Sequence, residues 1–243
     1  MPLGLGNNLS RTGLITPGIV TDNLVLKHNY SKGSVIPVSD GAAYFDGTDD
    51  YIQLFAAISN NLFSFSVWIN VTDDATSKTI LDTRDADNDG VVFFLSSAER
   101  LALYVNSSDS AVSADAVLTA GVWQHVVGTY DGTNLKLYIN GVLVETTADA
   151  GSSETVTVTT AARIGNYSYT NSSYYKGYMS NLGVWSAALT QPQIKSIMNK
   201  NYAGLSSSEK TNLVSWWNLD SSVTTVGRTF TEDNHGENTG ELL

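Results

Sequence analysis

Residues 121–145, GVWQHVVGTYDGTNLKLYINGVLVE, constrain this chain more than any other stretch. Asn140-Gly141 is the two-residue signal of a type I′ turn, whose backbone twist matches that of two antiparallel strands. A two-residue loop also sets the pairing. Ile139 is expected opposite Val142, Leu137 opposite Val144 and Lys136 opposite Glu145. One face of this hairpin is then apolar, and the other carries an opposite-charge cross-strand pair. A slip of one residue would turn the apolar set into water, so the hairpin must lie on a core. The segment FSFSVWINV (63–71) obeys the same rule. Phe63, Phe65, Val67, Ile69 and Val71 share one face; Ser64, Ser66, Trp68 and Asn70 share the other.

Further short strands are expected at 24–26, 42–47, 50–55, 79–83, 90–96, 100–106, 154–158, 162–166 and 177–186, separated by turn residues. No βαβ spacing occurs. The reading is all-β, a two-sheet antiparallel jelly-roll sandwich, with one short C-terminal helix. That helix starts after Thr190, where Gln193 has capping-box spacing and Pro192 suits the first turn. Ile194, Ile197 and Met198 form its apolar face, Gly204 stops whatever continues past Asn201, and a turn begins at Ser206 with Glu209 three residues on. The expected organisation is an extended arm over 1–23, a sandwich over 24–189, and a helix with C-terminal strands over 190–243 packing back on the same domain.

With 243 residues and 42% hydrophobic side chains, the chain can bury a sizeable core. A net charge of −11 argues against nucleic acid and against an anionic membrane as partners. The absence of cysteine excludes thiol chemistry, Cys-zinc sites and disulfides. Residues 1–25 lack the basic start and long apolar run of a signal peptide, and no stretch reaches transmembrane length. The expectation is a protein made in the cytoplasm without a signal peptide.

Several motifs occur in a telling order: AYFDGTDDYI (43–52), FSFSVWI (63–69), the hairpin with its WQHVVGTYDG and LKLYING, ARIGN (162–166) and GYMSNLGVWSAALT (177–190). Together they resemble laminin-G-like domains of the concanavalin A-like lectin/glucanase superfamily. The resemblance implies the jelly roll but no single function, since this fold hosts lectins, hydrolases, lyases, adhesins and virion proteins. Where such relatives commonly carry Asp in a G-x-I-D pattern, this chain has Asn181. The WNLD and DNHGENTGEL segments of the tail resemble an opening of such domains, here placed last. They either return to the same sheets, as in a circular permutation, or are the remnant of a second repeat. TDNLVLKHNY ahead of AYFDG resembles small structural proteins of tailed bacteriophages. That resemblance implies a non-catalytic virion protein, a capsid decoration or fibre-associated component made in the host cytoplasm. The arm would then touch other virion proteins or copies of this chain. The alternative is a calcium-assisted carbohydrate-binding or adhesion module that meets a cell-surface glycan. A polysaccharide-active enzyme is the third reading.

The enzyme reading is disfavoured. Retaining glucanases of this fold place two carboxylates on one strand face, whereas the Glu residues here are isolated, and His28, His125 and His235 have no metal spacing. No catalytic residue is assigned. For a metal, Asp85, Asp87 and Asp89 precede Gly90 with the alternation of half a calcium loop, and Asp46, Asp49 and Asp50 are a second acidic cluster. The same residues also make ordinary hairpin turns. For a glycan or a partner, the loop 166–175 offers Tyr167, Tyr169, Asn171, Tyr174 and Tyr175. Tyr faces stack on sugars as readily as on proteins. Trp68, on the polar face of its strand, either stacks on a ligand or covers a second layer.

Overall fold

The computed structural model describes residues 41–54, 61–72, 77–84, 89–106, 109–148, 162–167, 170, 172–219, 223–225, 228–231, 235 and 240–242. The arm over 1–23 and the strands expected at 24–26 and 154–158 lie outside these residues. In chain order the strands are β1 (Ala43–Asp46), β2 (Ile52–Leu54), β3 (Phe63–Val71), β4 (Lys78–Asp82), β5 (Val91–Ser96), β6 (Arg100–Val105), β7 (Asp109–Val112) and β8 (Gln124–Tyr130). There follow β9 (Asn134–Ile139), β10 (Val142–Ala148), β11 (Arg163–Ile164), β12 (Lys176–Trp185), the helix α1 (Gln191–Ile197), β13 (Leu213–Trp217), β14 (Val223–Thr225), β15 (Arg228–Thr231) and β16 (Gly240–Leu242).

Two antiparallel sheets form the expected jelly-roll sandwich. A seven-stranded sheet runs β1-β12-β3-β8-β9-β10, with β13 added to β12. A nine-stranded sheet runs β14-β15-β16-β2-β11-β4-β5-β6-β7. The inner residues of β3 meet those of the opposite sheet, as in the stacked rings of Phe65 and Phe93, 6.5 Å apart. The tail contributes to both sheets: β13 pairs with β12, and β16 pairs with β2.

The outer face of β3 is also buried. Residues 187–198 and α1 cross it, so the core has a second cluster in which Val127, Tyr138, Trp185, Ile194, Ile197, Leu213 and Trp216 meet. Trp185 and Trp216 pack edge-on at 5.9 Å, and the Trp185 indole donates to the Glu209 carbonyl at 2.8 Å. The α1 cap forms as the sequence predicts: Gln193 Oε1 accepts from the Thr190 backbone N–H at 2.8 Å. Glu209 ties the following turn to the helix, accepting from Ser196, Lys200 and the Ser206 N–H. Burial pushes its carboxyl up, but these hydrogen bonds outweigh it and hold the group at about 2.

The type I′ turn is present, with Asn140 at φ 50° and Gly141 at φ 73°. The register beyond it is corrected. Val142 does face Ile139, but an irregularity between Leu143 and Glu145 puts Glu145 opposite Leu137 and Thr146 opposite Lys136. Lys136 pairs instead with Asp131, in the turn between β8 and β9, at 2.7 Å. Strand β7 and the short 3₁₀ turn Tyr202–Gly204 carry no signal that the sequence reading caught.

Candidate functional site

The outer face of the nine-stranded sheet has a built polar row. Gln53, Arg163 and Asp82 stand directly opposite one another across β2, β11 and β4. Their chain neighbours Ile52, Ile164 and Leu81 point into the core, so strand alternation alone turns the row outward. Arg163 donates from Nε to Gln53 Oε1 at 2.9 Å and from Nη1 to Asn166 Oδ1 at 3.0 Å. Its guanidinium lies 4.5 Å from the centroid of the Tyr51 ring. Two residues past Asp82, Arg84 forks onto that carboxylate at 3.0 and 3.2 Å. The Arg84 guanidinium also lies 4.4 Å from the centroid of the Tyr167 ring.

Asp82 and Arg84 are buried, while Tyr51, Gln53, Arg163 and Tyr167 are partly exposed. Across the same face, Val92 and then Tyr104 continue the row from Asp82 over β5 and β6. Phe94 and Tyr104 meet there edge-on at 4.9 Å, both partly exposed. The face thus sets aromatic rings beside the Arg163 guanidinium, which is held in place by Gln53, whose own Nε2 donates to the Leu54 and Ala162 carbonyls at 3.2 Å. Asn166 is fully buried, and its Nδ2 finds no partner among the described residues.

The loops singled out in the sequence converge here in part. Tyr167 belongs to the 166–175 loop, and Arg84 leads into the 85–90 loop. The first of these loops is fastened by Thr79 N–H to the Ser173 carbonyl at 2.8 Å and by Gly165 N–H to the Ile80 carbonyl at 3.0 Å. Tyr174 is partly exposed on it. Tyr169, Asn171, Asp85 and Asp87 lie outside the described residues, and Asp89 is exposed.

Two contact candidates are corrected. Tyr175 is fully buried, its ring edge-on to Phe45 at 5.8 Å, and burial pushes its phenol far up. Trp68 is 8% exposed; its indole donates to the Met198 carbonyl at 2.9 Å and its ring lies against His125. Trp68 therefore covers a second layer, because the segment after β12 folds over its strand. Arg84, Arg163, Gln53 and Tyr51 were missed. Their signal was present as polar residues alternating with core residues in DYIQL, TILDTR and ARIGN.

Among the described residues, the one acidic group with ligand spacing is Asp46, Asp49 and Asp50, whose carboxylate oxygens lie within 4.8 Å of one another. Asp50 accepts from the Asp46 N–H at 2.9 Å and Asp46 from the Thr48 N–H at 2.7 Å, so part of this oxygen set already closes its own turn. Asn181, where the resemblance led us to look for Asp, is 2% exposed with φ 50°. Neither its Oδ1 nor its Nδ2 has a partner among the described residues. A single neutral amide does not make a cation site there.

Residues 46–195 match the laminin-G type of the concanavalin A-like lectin/glucanases superfamily. The chain belongs to this superfamily. Within it, the laminin-G-like chain is 26% identical over 144 residues to the pentraxin-related protein PTX3 of Mus musculus, a match covering 55% of this chain. It spans 38% of that relative's length. Among solved structures, the fold is similar to that of a candidate carbohydrate-binding protein from Bacteroides ovatus, with a TM-score of 0.67 and 21% identity over 83% of this chain and 57% of that one. It is also similar to the CBM40 of a Ruminococcus gnavus sialidase solved with α2,3-sialyllactose, with a TM-score of 0.53 and 12% identity over 68% of this chain and 99% of that one. This laminin-G-like chain therefore has a lectin-like sandwich of the kind that carbohydrate-binding modules use.

Proposed function

We propose that the chain is a non-catalytic glycan-binding module that uses the outer face of its nine-stranded sheet. One observation carries the reading: the Gln53–Arg163–Asp82 row lies beside the Tyr51 and Tyr167 rings, each of which has a guanidinium over it. Sugars present an apolar ring face and a rim of hydroxyls. Partly exposed aromatic rings match the first, and the partly exposed Arg163 guanidinium, held by Gln53 and Asn166, matches the second. The isolated Glu residues of the sequence favour binding over hydrolysis.

A glycan array followed by titration calorimetry tests this, with and without EDTA. Binding by the wild type that falls at least tenfold in Arg163→Ala and in Tyr167→Ala, at unchanged melting temperature, is the expected result. No bound glycan, or binding by both variants undiminished from the wild type, would overturn it. Loss of binding in EDTA would add the calcium expected at the 85–90 loop; retention would remove it. A place on a phage particle is a separate proposal, supported by the resemblance of the opening segment. Mass spectrometry of purified virions tests it, and absence from the particles would refute it.

A further inference from the structure

The outer face of the other sheet carries a second constellation. Tyr44 on β1 stands opposite Tyr178 on β12, and Tyr178 stands opposite Asn70 on β3. The pairing of Ile69 with Gln124 puts Trp123, one residue before β8, beside Asn70 in the same row. The rings meet above the amide: Tyr44 to Tyr178 at 4.9 Å and Tyr178 to Trp123 at 6.3 Å. Asn70 beneath them is 8% exposed and donates to the Gly121 carbonyl at 3.3 Å. Tyr44 and Tyr178 are 48% and 42% exposed, although one row away on the same face Trp68 is sealed by the Met198 carbonyl. The cover provided by α1 and residues 187–198 thus ends where these aromatics begin. Contiguous exposed apolar surface marks interaction sites, and here the rings form one continuous cluster from β1 over β12 to the residue before β8.

We infer that Tyr44, Tyr178 and Trp123 form a second saccharide surface, specific for uncharged oligosaccharide chains. Charge selects the occupant. The row itself is uncharged, the next row holds Asp46 opposite Lys176, and Asp46 belongs to the acidic turn with Asp49 and Asp50. An acidic rim on a chain of net charge −11 disfavours anionic glycans and a second copy of the chain. Polar chemistry points the same way. Tyr44 and Tyr178 are exposed and Trp123 is partly exposed, and each ring carries its own O–H or N–H donor, so ring faces and ring donors are offered together. Successive ring planes are tilted by 51° and 46°. The sheets of a sandwich lie face to face, so this surface and the Arg163 face point in opposite directions and the inference stands independently of that site.

The test is calorimetry and saturation-transfer NMR with neutral hexasaccharides: malto-, cello-, xylo- and mannohexaose. At least one is expected to bind the wild type and to lose tenfold or more of its affinity in Tyr178→Ala and Trp123→Ala, while Ser207→Ala, at an exposed position outside both faces, retains that binding. Tyr178→Leu, which keeps apolar packing and removes the ring, is run alongside in case the alanine variant does not fold. Three outcomes would overturn the inference: no hexasaccharide binding that depends on Tyr178; binding of a poly-lysine peptide, not a sugar, that depends on Tyr178; or concentration-dependent dimerisation abolished by Tyr178→Leu. Loss of all sugar binding in Arg163→Ala with none in Tyr178→Ala would leave the first face standing and remove this one.

Discussion

Ser66 Oγ and His125 Nε2 face each other at 2.8 Å between β3 and β8, beneath the segment that carries α1. His125 is 2% exposed, and its Nδ1 has no partner among the described residues. Burial disfavours the imidazolium and pulls the ring down to about 3. In the unfolded chain the ring titrates near 6.5. Between these values the unfolded chain binds more protons, so the contribution is complete above pH 6.5 and lost as pH falls towards 3. At pH 5 the loss is about 2 kcal/mol by linkage. Urea unfolding at pH 7 and pH 5 measures it, and His125→Gln is expected to flatten the difference; an equal loss in that variant would assign the effect elsewhere. The sequence showed His125 within a strand and without metal spacing. It did not show Ser66 as its partner, because that pairing depends on the register between β3 and β8. Trp68 fails to read as buried for a related reason. Alternation puts it outside the sandwich, and only the later residues 187–198 decide that the outside is covered.

At the level of elements, the hairpin and the tail differ in how much local sequence decides. The turn at Asn140-Gly141 is local chemistry and forms as read, whereas the shift between Leu143 and Glu145 is set by what β10 packs on. Val144 packs partly against the core while Val142 is 57% exposed at the tip, so the packed apolar face narrows towards the turn. The tail looked like a sheet segment but left open where it would pair. Strand β13 lies against β12 and sends Trp217, fully buried, into the sandwich core and Trp216, 1% exposed, into the cluster under α1. One strand therefore serves two cores. Trp217→Ala is expected to cost about 3–5 kcal/mol from lost burial and the cavity left behind. A chain ending at residue 203, which also loses β16 from beside β2, is expected to show no cooperative thermal transition. A sharp transition in the truncated chain would mean that the tail is an appendage.

For the whole molecule, the fold was legible because alternation, turn chemistry and a helix cap agree on it along most of the chain. The proposed binding faces were less legible, because each is a row across strands distant in sequence. Gln53, Arg163 and Asp82 come from three separate motifs, and so do Tyr44, Tyr178 and Trp123. No local pattern announces such a row; pairing register creates it. The two rows lie on opposite outer faces of one sandwich, which gives a consequence neither has alone. A single module that engages sugars on both faces is bivalent, and a bivalent module cross-links a long neutral polysaccharide by occupying two chains at once. Light scattering of the wild type with a neutral polysaccharide built from a hexasaccharide bound at both faces is expected to rise with protein concentration and fall again in large excess, when each chain is saturated. Arg163→Ala and Tyr178→Ala should each keep binding through the remaining face while losing the scattering. Cross-linking that persists in both variants would place the second contact outside these faces. Binding by both variants with no scattering from the wild type would show that one chain cannot be held on each side at once.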